Sequence, residues 1–145
     1  MAKTPGQTSV NIAFLLPSFA RTHLYTFPDP AKEPASSTNS GLWTALNFFN
    51  DQPDNRYLNK DDARTTLLTH FEAGARSPAY GDLVALYSPG GDLIHVGVYI
   101  AEDFVFTRSG IGHLQPWVLM KLPEMVRRFQ KREQLATVIH HRRQT

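Results

Sequence analysis

A histidine near the start of an apolar strand is the residue in this sequence best suited to acid–base chemistry. His95 stands in the run Leu93–Ile100, where side chains at alternate positions point to opposite faces of the predicted strand. The face that should meet a core carries Val96, Val98 and Ile100. His95 lies on the other face beside Gly97, which leaves open space next to the imidazole. This pattern favours a general base that reaches a ligand, the alternative being a surface histidine on a half-buried strand.

A β-hairpin is predicted to position this histidine. The run Gly81–Tyr87 is rich in Val, Leu and Tyr, and Ser88–Asp92 supplies the Pro, Gly and Asp residues of a turn before the second strand. The Gly-Asp pair at the start of the hairpin precedes its first apolar residues.

A buried helix is the second predicted element of the site. It should run from Gly41 to about Asn50, with an apolar stripe that Trp43 and Phe48 widen. The stripe has spacing i, i+3, i+4 and i+7 and consists of Leu42, Ala45, Leu46 and Phe49. Asn39 or Ser40 is the natural N-cap. We expect this to be the most buried helix of the protein, packed on one face of a small sheet.

The remaining pattern predicts an α+β fold in one domain covering residues 10–145, after a flexible N-terminus at residues 1–9. An apolar, aromatic arm at 10–27 contains Pro17 and therefore should not form one continuous helix. The other predicted elements are a helix from Lys60 to about Glu72 capped by Asn59, a strand at 104–107, an extended segment at 116–121, a short helix from Pro123 to about Phe129, and a last strand at 135–140.

Composition excludes several classes of site. The chain has no cysteine, so it forms no disulfide and no thiolate metal site, and it has no thiol nucleophile. A net charge of +2 is too small to predict nucleic-acid binding, and the basic cluster near the C-terminus should be a solvated face. No apolar run reaches the roughly 20 residues that span a bilayer. His140 and His141 should point to opposite strand faces and cannot chelate one ion, so we predict no metal and no cofactor.

The order of these elements resembles the NlpC-type papain-like cysteine peptidases and amidases, a superfamily of cell-wall hydrolases. In that superfamily the nucleophilic Cys lies at the N-terminus of a buried helix, commonly in an Asp-Cys-Ser-Gly-Leu context, where this chain has the segment 39–42, Asn-Ser-Gly-Leu. A Pro-x-x-Gly-Asp-Leu-Val segment follows, matched here by Pro78–Val84, and then a His-Val-Gly-Val-Tyr-Ile segment, matched by His95–Ile100. The resemblance covers roughly residues 25 to 110 and implies a papain-like fold.

The resemblance implies a thiolate at the helix N-terminus, where unpaired N–H groups and the helix dipole lower a thiol pKa, and a histidine that carries the proton. This chain departs from the pattern because the nucleophile is missing. Asn39, Ser40 and Gly41 are the three positions that alignment allows; Ser40 has the only competent side chain and is our first choice, although it can equally be a helix cap.

The resemblance also implies a polar residue that orients the histidine and a tyrosine near the oxyanion. Thr107 falls at the orienting position, with His113 and Gln115 as substitutes further along the chain. Tyr25 lies at the spacing of the upstream tyrosine, the alternative being an aromatic packed within the N-terminal arm.

These observations predict a cysteine peptidase or amidase-like scaffold that acts on a peptide or peptidoglycan-like substrate and is inactive as written. The competing prediction is a non-catalytic binding module that retains the cleft. If a signal peptide precedes residue 1 in a precursor we expect a secreted or periplasmic protein, and otherwise a cytoplasmic one. The sequence does not determine the oligomeric state.

Overall fold

A computed structural model describes residues 15–27, 38–52, 54–108, 116–130 and 134–143, with the side chains of residues 38–40, 55, 58 and 60 outside the description. The expectations for residues 1–9, for His113 and for Gln115 fall outside the described residues. The described helices are α1 (Ser18–His23), α2 (Thr38–Leu46), a 3₁₀ helix (Asn55–Leu58), α3 (Lys60–His70) and α4 (Leu122–Phe129). The strands are β1 (Phe71–Gly74), β2 (Leu83–Tyr87), β3 (Leu93–Ala101), β4 (Phe104–Arg108), β5 (Trp117–Lys121) and β6 (Ala136–Arg142).

The six strands form one antiparallel sheet in the order β1-β6-β2-β3-β4-β5. Strands β2 to β5 are sequential neighbours and form a meander. Strand β6 instead returns to pair with β2 and also receives β1 at the edge. The α+β fold class is therefore confirmed.

Local sequence accounts for several element boundaries. Pro17 is the residue immediately before α1. This position suits proline, because a proline at a helix start loses no helical hydrogen bond. Asn59 caps α3 as predicted, because its side-chain oxygen accepts from the N–H groups of Asp61 and Asp62. The hairpin turn needs Gly91, whose φ of 91° is in the left-handed region that glycine adopts without strain.

The predicted bounds of the α2 helix are wrong at both ends. The helix begins at Thr38, so Asn39 and Ser40 lie inside it and neither is its cap. It ends at Leu46 because the Asn47 side chain turns back, donating to the carbonyl of Trp43 and accepting from the N–H of Asp54. Phe49 is consequently beyond the helix and 40% exposed, which contradicts its predicted place in the core stripe.

The sheet is covered on both faces, whereas the sequence predicted a helix on one face only. Helices α1, α2 and α3 share the larger core with Val96, Val98 and Ile100, as the strand alternation predicted. On the opposite face, α4 packs Met125 and Phe129 against a second apolar cluster formed with Val84, Leu86, Val105 and Met120. The space beside His95 is therefore filled.

The strand β1 is an element that the sequence analysis missed. The α3 helix was expected to continue to about Glu72, yet it ends at His70 and the chain enters β1 at Phe71. No Gly, Pro or Asn marks this junction. The strand exists because it pairs with β6, which comes some 65 residues later in the chain.

Candidate active site

His95 is a buried residue with two defined neighbours rather than a surface histidine. The residue is 3% exposed, and its Nε2 lies 2.5 Å from Thr107 Oγ1. The other ring edge faces α2, since a Cβ built on Gly41 would lie 3.1 Å from Nδ1 and 3.3 Å from Cε1. The structure thus brings together His95, Thr107 and the first turn of the helix, which are three of the predicted components.

Burial keeps the imidazole of His95 neutral. It lowers the pKa of His95 to about 3. Arg108 has two smaller, opposing effects: a hydrogen bond with its backbone raises this pKa, and its positive charge lowers it. The Thr107 hydroxyl is also within 3.2 Å of the carbonyl oxygen of Arg108 and 3.4 Å of that of Val96. When the hydroxyl donates to one of these carbonyls, it accepts from Nε2–H, and Nδ1 then presents its lone pair to α2.

Phe129 covers the imidazole on its flat side. The two ring centroids are 3.8 Å apart with planes inclined by 11°, a stacked arrangement. Phe129 is the last residue of α4, and one helical turn earlier Met125 occupies the space over Gly97, where a Cβ would lie 3.0 Å from its Sδ. Gly97 therefore serves the packing of α4 rather than leaving room for a ligand.

A side chain at Gly41 would be directed at His95. The distances of 3.1 Å and 3.3 Å from a Cβ at residue 41 to Nδ1 and Cε1 of His95 are shorter than most Cβ contacts. A residue larger than glycine therefore requires a shift of the His95 ring by a few tenths of an ångström. Asn39 and Ser40 precede Gly41 in the same helical turn, and their side chains lie outside the described residues.

Tyr25 is not packed within the N-terminal arm. Its side chain is 62% exposed, and its backbone has a φ of 63° and donates to the carbonyl of Trp117 at 2.7 Å. This exposure excludes the packed-aromatic alternative, and no hydrogen bond or ring contact among the described residues joins Tyr25 to His95. The role of Tyr25 beside an oxyanion stays a prediction.

The sequence analysis missed two residues that lie near His95, Arg108 and Phe129. Arg108 is 1% exposed, with its guanidinium carbon 5.0 Å from the centroid of the Trp117 ring, and Trp117 donates from Nε1 to Thr44 Oγ1 at 2.9 Å. Phe129 is the other. The i, i+4 spacing of Met125 and Phe129 is typical of an apolar helix face, a signal that the sequence analysis did not use and that does not show which residues the face covers.

The two histidines of strand β6, His140 and His141, have partners that differ from those of His95. His140 Nε2 lies 2.9 Å from the hydroxyl of Tyr87, and burial lowers the pKa of His140, with a smaller effect from the charge of His141. His141 Nδ1 lies 2.8 Å from Asp82 Oδ2. No group of three or more His, Asp or Glu residues in the described ranges is arranged to hold a metal ion.

Comparison of the chain with protein-family models, with curated proteins and with solved structures finds no match. Within the ranges that the structure describes, no helix is both long enough and apolar enough to cross a membrane.

Proposed function

We propose that this chain carries the scaffold of an NlpC-type papain-like hydrolase of amide bonds, and that its nucleophile position is residue 41, where glycine leaves no reacting group. The observation that carries the proposal is the distance of 3.1 Å from a Cβ at Gly41 to Nδ1 of His95. We propose residue 41 in place of Ser40, our choice from the sequence, because a side chain at residue 41 would meet the imidazole.

The order of groups around the ring supports this proposal. Nδ1 faces the first turn of α2, where unpaired N–H groups and the helix dipole stabilise an anion. Nε2 meets Thr107, so the hydroxyl can hold the ring in the tautomer whose Nδ1 accepts a proton. A thiol at residue 41 would give its proton to Nδ1, the thiolate would attack the amide carbon, and the same proton would pass to the amine as the C–N bond breaks.

The substitution Gly41→Cys tests this assignment. The chain contains no other cysteine, so the introduced thiol is the only one that alkylates. We expect an apparent pKa well below the roughly 8.5 of a free cysteine, measured from the pH dependence of the iodoacetamide reaction. In the double variant with His95→Ala that pKa should rise toward the free value, because the partner that receives the proton is gone.

Asn39→Cys and Ser40→Cys are the matched controls, since they place the same thiol in the same helical turn. Their thiols should respond to the helix dipole but not to His95→Ala. If Ser40→Cys responds to His95 and Gly41→Cys does not, the nucleophile position is 40. If all three thiols titrate like free cysteine and ignore His95, the hydrolase proposal fails.

A second candidate function is a non-catalytic module that binds a peptide or peptidoglycan fragment. The stacking of Phe129 on His95 favours it, because the covered imidazole cannot meet a substrate without movement of the α4 end. Titration of cell-wall peptides into the unmodified protein, followed by NMR, distinguishes the two. Saturable binding without cleavage, unaffected by His95→Gln, would support the module, whereas cleavage by the Gly41→Cys variant would support the hydrolase scaffold.

A further inference from the structure

A cavity lies between α3 and the β2–β3 hairpin, on the face of the sheet that α2 covers. It measures about 590 Å³, which is within the range of roughly 300–1,000 Å³ typical of sites for small ligands. Its apolar wall consists of Leu42, Leu67, Leu68 and Leu93. Leu42 and Leu67 are buried, whereas Leu68 is 64% exposed. The cavity therefore has an apolar inner wall and a rim that solvent reaches.

The cavity adjoins the candidate active site through two of these leucines. Leu42 directly follows Gly41 in α2, so their Cα atoms are about 3.8 Å apart. Leu93 comes two residues before His95 in β3, and in a strand this spacing separates the Cα atoms by about 7 Å. The cavity wall and the candidate site therefore share the first turn of α2 and the start of β3.

The charged groups of the cavity favour an uncharged ligand. Asp61, Arg64 and Asp92 line it, and all three are exposed, so their charges lie in contact with water. Two carboxylates and one guanidinium leave a net charge of −1, and a ligand of either sign would meet a like charge. The leucines of the inner wall offer no partner to a charge, and burial of an unpaired charge is costly. An uncharged apolar group is therefore the ligand chemistry that this lining suits.

A neutral hydrogen-bonding pair lines the same cavity. The hydroxyl of Tyr87 lies 2.9 Å from Nε2 of His140. Burial lowers the pKa of His140 and raises the pKa of Tyr87, so both groups are uncharged at neutral pH. The pair carries two polar hydrogens, and the bond between the two side chains uses one of them. The other N–H or O–H has no hydrogen-bond partner among the described residues and can donate to a carbonyl oxygen of a ligand.

We propose that this cavity is the subsite that receives an uncharged, apolar side chain of the peptide substrate, at a residue next to the scissile amide. Neighbouring residues of an extended peptide are about 3.3 Å apart, so a peptide whose scissile amide lies at residue 41 brings the next side chain within reach of Leu42 and Leu93. The assignment rests on the proposed function, because the nucleophile position at residue 41 is what makes the cavity a neighbour of the scissile bond.

Three capped peptides of the form Ala-Ala-X-Ala-Ala, with leucine, aspartate or lysine at X, test the assignment on the unmodified protein. In ¹H–¹⁵N NMR titrations the leucine peptide should bind saturably and shift the amide resonances of Leu42, Leu68 and Leu93. The aspartate and lysine peptides should bind at least about tenfold more weakly. A preference for aspartate would show that Arg64 selects the ligand, and a preference for lysine would show that the carboxylates do. Either preference, or the absence of saturable binding, would overturn the proposal.

Two substitutions of exposed leucines locate the binding. Leu68→Ser changes the rim of the cavity and should weaken binding of the leucine peptide by about fivefold. Leu15→Ser is the matched control, since Leu15 is 52% exposed and lies elsewhere, beside Tyr80; it should change the affinity less than about twofold. Tyr87→Phe removes the hydroxyl and should weaken binding by about twofold to tenfold. Equal affinities in the two serine variants would contradict the assignment even if Tyr87→Phe fails to fold.

The Gly41→Cys variant distinguishes a failure of this assignment from a failure of the proposed function. Cleavage of the leucine peptide with a kcat/KM at least about tenfold above that of the aspartate peptide would support both. Equal cleavage of the three peptides would leave the hydrolase proposal standing and overturn the subsite. If the leucine peptide binds at the cavity but no thiol at residues 39–41 responds to His95→Ala, the hydrolase proposal fails and the subsite role fails with it, although the binding itself stands.

Discussion

Two buried histidines on the same face of the sheet have opposite surroundings. His95 of β3 pairs with Leu86, near the C-terminal end of β2. His141 of β6 lies beside Asp82, which precedes the N-terminal end of β2, since the neighbouring His140 pairs with Leu83. Four residues of a strand separate the two positions by roughly 13 Å along β2. His95 meets a hydroxyl and an aromatic ring, whereas His141 meets a carboxylate.

The difference shows how burial without a charged partner changes a histidine. The Thr107 hydroxyl can orient the His95 ring, but it offers no negative charge to offset the loss of water, so the neutral form prevails. At His141 the Asp82 carboxylate fixes the ring by a hydrogen bond to Nδ1. His95 is thus a neutral ring under an aromatic cover, whereas His141 is a ring fixed at Nδ1 whose Nε2 has no hydrogen-bond partner among the described residues.

The largest expected effect is a loss of stability in acid that depends on His95. Between pH 6.5 and pH 3 the unfolded chain binds a proton at residue 95 that the folded chain does not, so the free energy of unfolding falls as the pH falls. The depressed pKa, about 3, corresponds to roughly 5 kcal/mol by pH 3. Urea denaturation of the wild type and of His95→Gln across this range should show a steeper decline in the wild type. Parallel curves would mean that His95 is protonated in the fold.

The next effect concerns Asp82. Asp82→Ala removes the acceptor of three buried hydrogen bonds and leaves His141 without its carboxylate, which should lower the free energy of unfolding by about 3–5 kcal/mol. Chemical denaturation at pH 7 measures it, with Asp92→Ala in the exposed hairpin turn as the control. A loss below about 1 kcal/mol would show that Asp82 does not hold β6 to the sheet.

A smaller effect is expected at the ring that covers His95. Phe129→Leu keeps an apolar side chain but loses the stacking, at a cost of about 0.5–1.5 kcal/mol. The more specific readout is the pKa of His95, which should rise in this variant because water reaches the imidazole. Titration of the ring proton resonances by NMR measures it, and Val126→Leu on the same helix serves as the control. An unchanged pKa would mean that elements other than Phe129 exclude water from the ring.

The sequence predicted those features that depend on local patterns. The alternation of Val96, Val98 and Ile100 identified the core face of β3, and Asn59 identified the start of α3. The proximity of His95 to α2 also agrees with expectation, although that expectation came from the family resemblance and not from a local pattern. The first two signals are local because a strand alternates and a cap bonds within a few residues of itself.

The features that the sequence did not predict depend on contacts between distant residues. Strand β1 forms because β6 pairs with it, and α4 covers His95 because Met125 and Phe129 pack against the far side of β3. The direction of a side chain at residue 41 likewise depends on the rotation of α2, which the stripe of Leu42 and Ala45 defined only within one helical turn. Phe49 was misplaced because the helix ends at Leu46, three residues earlier, where the Asn47 side chain turns back.

The position of β6 between β1 and β2 has a consequence for how the chain reaches its native state. Both neighbours of β6 are made some 50 to 70 residues before it during synthesis, so the sheet has an open gap beside β2 until residues 136–142 arrive. The apolar segment Leu83–Leu86 exposes one edge during that interval and can pair with another chain. Closing so long a loop makes this step slow relative to the hairpin, and a chaperone that shields the β2 edge would raise the yield of folded protein.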